Sequence, residues 1–557
     1  MYQIYPRSFA DSNGDAMGDL PGVVGRLDYL ADLGVDVVWL SPVYRSPMDD
    51  NGYDISDYED VDPLFGRLAD LDALIAGLHQ RGMKLVMDMV LNHTSVEHPW
   101  FRESRNPASP KRDWYYWRPA RHRTLAGTPG AEPTNWASFF GGRAWAYDPT
   151  SGEYYLHLYT PGQPDLNWEN PDVRQALFAM MRRWVERGVD GFRFDCINLI
   201  SKTLPLADGP AGPDGLCHDA GVVADGPRFQ EFVREMNQSV GLSERDLLAV
   251  GEMVLVDVPK ARVYTNPDNR ELGLAITFEH LELDHDPNGP KWSLKPYRLV
   301  DLKRVLAAWQ NGLAGVGWNC LYLENHDQPR SVSRFGDDSP QFRVLSAKTL
   351  ATTLHMLQGT PFIYQGEEIG MTNAGFTSLE QYKDIESQNY AREALAAGTS
   401  ESDVLAALAA KSRDNARTPM SWDASPFAGF SPVTPWLEVN ANHTEINVAA
   451  ALADQDSVYY HYRQLIALRH ELPVVTTGKF TLLLPDDDRI FAYLRSTDEV
   501  QLLVVANWSS MPAEWPAGLP DVSTATLLLN THSEATGGLA AWESRVYRLG
   551  ANDRPDL

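Results

Sequence analysis

Eight short apolar runs, rich in Val, Ile and Leu and separated by helical patterns, constrain this chain more than any other feature. They are "MYQIYP" at the start, "VDVVWLSP" (35–42), "KLVMDMVLN" (84–92), "VDGFRFD" (189–195), "LLAVGE" (247–252), "LGLAITFE" (272–279), "CLYLENHD" (320–327) and "PFIYQGEE" (361–368). The stretches between them are amphipathic, as in "LPGVVGRLDYLADLG" (20–34) and "LADLDALIAGLHQRG" (68–82), both closed by glycine. "NPDVRQALFAMMRRWVERG" (170–188) opens on Asn170-Pro171, an N-cap with proline in the first turn. Strands alternating with helices imply parallel strands joined by right-handed crossovers. Eight such units fit an α/β fold of the (β/α)8 barrel type; a doubly wound open sheet is the alternative. The barrel is preferred because polar and charged residues gather where these runs end, and in a barrel those ends share one mouth.

Two segments break the repeat. Residues 96–168, dense in Trp, Tyr, Pro and Gly, lie between the third and fourth strands and read as an inserted subdomain. After the helical pattern "SVYYHYRQLIALRHELP" (457–473), the chain turns to alternating stretches such as "RIFAYLR" and "VQLLVVANW". The expected organisation is a catalytic barrel over 1–95 and 169–474 and a C-terminal antiparallel β-sandwich domain over 475–557.

A chain of 557 residues with 43% hydrophobic and 22% charged residues can bury a large core and is of soluble globular composition. Its formal charge of −27 argues against nucleic acid or an anionic membrane as partner. Cys196, Cys217 and Cys320 cannot all pair and fit no zinc spacing, so reduced thiols in the cytoplasm are expected. No apolar run reaches membrane-spanning length, and "MYQIYPRSFAD" has no signal-peptide pattern.

The strand ends carry the chemistry. Arg193 and Asp195, two apart in "GFRFD", share one face of a strand, with Phe192 and Phe194 on the other. Glu252 closes the next run, Asp327 follows the seventh beside His326, and Asp88 and His93 sit near the end of the third. One acid at a strand end is more often a cap or an ion-pair partner. Four such ends on one mouth suggest glycoside hydrolysis, which needs two facing carboxylates. One must stay ionised to attack, and Arg193 beside Asp195 is expected to lower its pKa. The other, Glu252, must hold a proton for the leaving oxygen, so burial or like charge should raise its pKa. Asp327 is the third carboxylate, placed to orient hydroxyls.

"DMVLNHTS", "GFRFDCIN", "VGEMV" and "ENHDQPR" resemble, in order, four regions of the α-amylase superfamily, glycoside hydrolase family 13. "QPDLNW" (163–168), "SPMDDNGYDISDY" and "SRDNARTPMSWD" resemble its oligo-1,6-glucosidase and α-glucosidase branch. The resemblance implies a retaining mechanism with Asp195 as nucleophile, Glu252 as acid/base and Asp327 as transition-state stabiliser. It implies further that His93 and His326 bind hydroxyls of the cleaved sugar and that Asp50 and Tyr53 hold its non-reducing end. Arg413 would pair with Asp50 to close the pocket, with Arg417 as rival, and Phe140 and Tyr159 would form aromatic walls. A closed pocket implies an exo-acting enzyme releasing one glucose at a time from a small-molecule α-glucoside, as a monomer or homodimer.

"DSNGDAMGD" (11–19) alternates Asp11, Asn13, Asp15 and Asp19, with the Met17 carbonyl in reach, as in a calcium loop. It lacks the glycine and glutamate of a complete EF-hand, and a solvated turn is the alternative. The branch resemblance implies one structural divalent cation, Ca2+ or Mg2+, and no organic cofactor. Cys196 follows the nucleophile, where valine marks α-1,6 cleavage in related enzymes and alanine or threonine α-1,4. The expected substrates are α-1,4-linked disaccharides and short oligosaccharides, possible also as transglucosylation donors. Oligo-1,6-glucosidase and trehalose-6-phosphate hydrolase are the alternatives, and a non-catalytic transporter-associated homologue a remote one.

Overall fold

The computed structural model describes residues 1–122, 125–287, 289, 291–535 and 537–550. Its centre is a ring of parallel strands: β1 (Tyr2–Ile4), β2 (Val37–Leu40), β3 (Lys84–Val90), β4 (Gly191–Asp195), β5 (Leu248–Glu252), β6 (Leu274–Ile276), β7 (Cys320–Leu321) and β8, which comes in two pieces, Thr360–Pro361 and Ile363–Tyr364. Strands β6-β5-β4-β3-β2-β1 pair in that order, and the second piece of β8 pairs with β1 through Tyr2 opposite Ile363. The first piece of β8 pairs with β7, and a bridge from Ala275 to Asn319 carries the ring from β6 to the start of β7. The result is a (β/α)8 barrel, closed because every strand finds a neighbour on both sides.

Local sequence explains the connecting helices. Asn170 caps Pro171–Arg187 by accepting the Asp172 N–H, and Gly188 ends it at φ 115, where a side chain would be disfavoured. Residues 20–34 form not one helix but two, Leu20–Val24 and Leu27–Leu33; Gly25, a poor helix former, marks the break. The strands are also shorter than the apolar runs that announce them. In the seventh, pairing stops at Leu321, and Glu324, His326 and Asp327 leave the ladder to meet arginines instead of strand neighbours, while Asn325 accepts the Asp327 N–H.

The inserted segment after β3 builds a three-stranded antiparallel sheet with Glu153–Leu156 between Trp117–Arg118 and Trp145–Asp148. Its apolar cluster, including Trp136, Trp145 and Leu156, takes in Cys196 and Leu199 from the turn after β4. The insertion is thereby packed onto the nucleophile candidate's own turn.

Beyond the barrel lies a five-stranded antiparallel sheet: β9 (Lys479–Leu483), β10 (Ile490–Ser496), β11 (Gln501–Asn507), β12 (Thr526–Asn530) and β13 (Ser544–Arg548), in the order β9-β10-β11-β13-β12. The second layer expected of a sandwich is reduced to a two-stranded ribbon, Ala513–Glu514 with Gly538–Leu539. Residues 551–557 of that expected domain lie outside the described residues. The sheet is fixed to the barrel helix Arg343–His355, where the Tyr493 hydroxyl donates to the Thr353 carbonyl (2.7 Å) and the Trp508 indole to its hydroxyl (3.1 Å). Among the described residues, no helix is long and apolar enough to cross a membrane.

Candidate active site

Arg193 is fully buried, and three carboxylates surround its guanidinium: Asp88 at 2.8 Å, Asp195 at 2.6 Å and Glu252 at 2.7 Å. Strand register explains the grouping, since Asp88 on β3 lies directly opposite Arg193 on β4. Asp195 shares the face of Arg193 two residues on, and Glu252 ends the strand on the other side of β4. At Cys196 the chain turns left-handed (φ 42). The Cys196 N–H thereby donates to Glu252 Oε2 (3.2 Å), with Sγ 3.3 Å from the same oxygen. Carboxylate oxygens of Asp195 and Glu252 lie within 4.8 Å of each other.

Burial raises both acids. It pushes Asp195 up to about 6 against the pull of Arg193, with Asp88 adding to the rise. It pushes Glu252 up to about 7, again against Arg193 and helped by Asp195 and Asp327. The expectation that Arg193 would hold Asp195 below the ordinary range is therefore corrected. One guanidinium shared among three buried carboxylates cannot offset the loss of water around each. The order between the two acids is still the useful one: near neutral pH Asp195 is mostly ionised while Glu252 keeps much of its proton.

Asp327 behaves differently. Burial opposes its charge, but His326 and the guanidiniums of Arg413 and Arg417 hold its carboxyl far below the ordinary range. The His326 ring is itself pushed down to about 3 by burial, so at neutral pH the two arginines carry the effect. Arg417 reaches Asp327 at 2.6 Å and Arg413 at 3.3 Å. It is Arg413, not Arg417, that pairs with Asp50 (3.1 Å). The Tyr53 hydroxyl donates to Asp88 (3.0 Å) and lies 2.6 Å from His326 Nε2. His93 is neutral too, lowered to about 4 by burial, with Nε2 3.2 Å from the Tyr53 carbonyl. From the insertion, Tyr159 packs against His93 (5.1 Å between ring centroids) and Phe140 against Tyr159 (5.2 Å), with Arg413 over the Phe140 ring (4.7 Å).

Asp50, Tyr53, His93, Phe140, Tyr159, Asp195, Glu252, Asp327 and Arg413 all line one cavity of about 450 Å³ at the carboxyl mouth of the barrel. Arg193 and His326 sit behind that surface and hold its acids. Several contributors escaped the sequence reading. Asp384 is buried between Arg413 (2.5 Å) and Arg417 (3.3 Å) while capping the helix Ile385–Ala396, and no local pattern announces it. Gln163, inside the quoted "QPDLNW", donates to Asp50 (3.0 Å). Asn198, inside "GFRFDCIN", donates to the Val254 carbonyl (2.7 Å) and accepts the Val254 N–H (3.1 Å), tying the turn after β4 to the turn after β5. Motif membership was the available signal for both.

The loop 11–19 stands apart from this pocket's lining. Asp11 accepts the N–H groups of Gly14 (2.7 Å) and Ala16 (3.0 Å) and the Ser431 hydroxyl (2.7 Å). Asp15 accepts the Asn13 amide (3.1 Å), and Asp19 caps the following helix through the Gly22 N–H (2.7 Å). The Met17 thioether lies 3.4 Å from the Arg7 guanidinium, which leaves its carbonyl to offer. Asp11 also accepts the Asn13 N–H (3.1 Å), which completes its four lone-pair sites, whereas Asp15 and Asp19 keep sites to spare. The donors are hard oxygens, so the set fits Ca2+ or Mg2+ in its chemistry.

Paired acids on one arginine at the mouth of a (β/α)8 barrel define a glycoside hydrolase. The chain belongs to the α-amylase family, whose catalytic domain matches residues 3–478. It is 51% identical to the oligo-1,6-glucosidase of Halalkalibacterium halodurans, over 99% of this chain and 98% of that one. It is 49% identical to the α-glucosidase of Pediococcus pentosaceus, with the same coverage. Among solved structures it is similar to the trehalose-6-phosphate hydrolase of Bacillus licheniformis, with a TM-score of 0.91, 45% identity and 98% of each chain covered.

Proposed function

We propose that this protein is an exo-acting α-glucosidase that releases glucose from the non-reducing end of small α-glucosides with retention of configuration. The approach of Asp195 and Glu252 oxygens to within 4.8 Å carries the reading, because retaining glycosidases hold their two carboxyl groups only about 5–5.5 Å apart. Asp195 attacks the anomeric carbon while Glu252 gives its proton to the leaving oxygen. Glu252 then takes a proton from the water that breaks the glucosyl ester. Asp327, kept ionised by Arg413 and Arg417, binds sugar hydroxyls and favours the cationic transition state. Asp50 and Arg413 close the sugar end of the pocket, and Phe140 and Tyr159 wall it. NMR of the first-formed glucose tests this: α-glucose is expected, and β-glucose or no release from any α-glucoside overturns it.

For linkage we favour α-1,4, because Cys196, next to the nucleophile candidate, is smaller than the valine that accompanies α-1,6 cleavage in related enzymes. A second reading, α-1,6, draws on the names of the relatives. Relative kcat/KM on maltose and isomaltose separates the two, and a strong isomaltose preference defeats the first. A phosphorylated disaccharide is disfavoured. Among the described residues lining the pocket, Arg413 is committed to Asp50 and Asp384, and Lys291, 52% exposed, would have to leave Glu386 (2.6 Å) to meet a phosphate.

We further infer that the loop of Asp11, Asn13, Asp15, Met17 and Asp19 holds one Ca2+ or Mg2+ with a structural role. Chelation should lower Tm with recovery on adding the cation back; an unchanged Tm with no metal found by elemental analysis defeats it. The enzyme acts in the cytoplasm as a monomer or homodimer, in keeping with three free thiols.

A further inference from the structure

Three residues past the acid/base candidate, Leu255 combines two unfavourable features. Its φ of 55 lies in the left-handed region that favours glycine. Its side chain is 59% exposed, and among the described large apolar residues only Met511 is more so. The turn is not slack. Asn198 clamps Val254 through both its N–H and its carbonyl, and Lys260, paired with Asp225 at 2.6 Å, reaches the Leu255 carbonyl at 3.5 Å.

Val254 and Leu255 line the catalytic cavity, and Phe278 joins them from the end of β6, the strand whose Ile276 pairs with Glu252. A general acid must lie within hydrogen-bond reach of the glycosidic oxygen. The side chains flanking Glu252 at the mouth therefore meet the leaving group, while Asp50 and Arg413 hold the glucose. We infer that these residues form a subsite for apolar aglycones, with Leu255 as its specificity-determining residue; this rests on the glucosidase reading above. Its ligands are aryl and alkyl α-glucosides as substrates and apolar alcohols as acceptors. In the transfer step the alcohol oxygen attacks the anomeric carbon and the bond to Asp195 breaks, returning its carboxylate. The hydroxyl proton passes to the Glu252 carboxylate, so the product is an alkyl α-glucoside and the enzyme is restored.

Two variants test the subsite. Leu255→Gly removes the side chain and suits the backbone, and Leu255→Asn exchanges the apolar side chain for a polar one of similar size in a conformation asparagine tolerates. The readouts are kcat/KM for 4-nitrophenyl α-glucoside relative to maltose, and the ratio of hexyl glucoside to free glucose formed in water with 1-hexanol. Both ratios should fall about 10-fold in both variants, the size expected for losing a small apolar contact. Unchanged ratios in active variants overturn the subsite and leave the glucosidase reading intact. Failure of the parent enzyme to release glucose from either substrate brings down both.

Discussion

Arg193 governs the site at the scale of single residues. Its guanidinium touches Asp88, Asp195 and Glu252, yet burial wins over its attraction at all three carboxylates, lifting Asp88 and Asp195 to about 6 and Glu252 to about 7. The proposed mechanism needs Asp195 ionised and Glu252 protonated. The kcat/KM profile should thus rise through about pH 6 and fall through about pH 7, a narrow bell. Glu252→Gln should lose about 10²–10⁴-fold on disaccharides together with the alkaline limb; a variant that keeps that limb would show that another group donates the proton. The same shifts bear on stability. Asp195 has a folded pKa above its unfolded value near 3.9, so the fold disfavours its charge. That cost is absent below about pH 4, where both states are protonated, and full above about pH 6. Asp195→Asn should therefore abolish glucose release while raising Tm at pH 7, with the gain shrinking toward pH 4. A Tm below the parent's at pH 7 would mean that the pairing with Arg193 outweighs burial.

At the scale of elements, loops after different strands hold one another. Asp384 sits in the long excursion after β8 and anchors both Arg413 and Arg417, which reach Asp50 and Asp327. Removing it leaves two buried guanidiniums short of a partner. Asp384→Ala should cost about 3–5 kcal/mol in denaturant unfolding and raise KM, since Arg413 and Arg417 lose their fixed positions. A loss under about 1 kcal/mol would mean that Glu386 or water replaces it. Asn198 acts in the same way between the turns after β4 and β5. The carboxylates proposed to act in catalysis were legible as candidates because each ends an apolar run and falls in a local motif. Asp384 was not, because its partners lie 29 and 33 residues away and no periodicity links them. Leu255 was invisible for another reason: its significance lies in a backbone angle and an exposure, and neither is written in the residue type.

For the whole molecule, the C-terminal sheet shares its interface with the barrel rather than hanging from it. Lys303 of the barrel helix Leu299–Leu313 is buried and donates to the carbonyls of Asp487 (2.6 Å) and Ile490 (2.9 Å), and Tyr493 and Trp508 both engage Thr353. Calorimetry should give one endotherm; two resolved transitions would show that the sheet melts on its own. The sequence alone determined the strand and helix alternation, hence the barrel, and the residues that end each strand, because period and capping are local properties of a chain. It also marked the insertion and the antiparallel tail by their change of pattern. Only the tertiary structure decided how the acids share one arginine, which of two arginines meets Asp50, and that burial lifts Asp195 more than Arg193 lowers it. These depend on distance and on the water removed around a charge, and both are set by segments hundreds of residues apart that come together only when the ring closes.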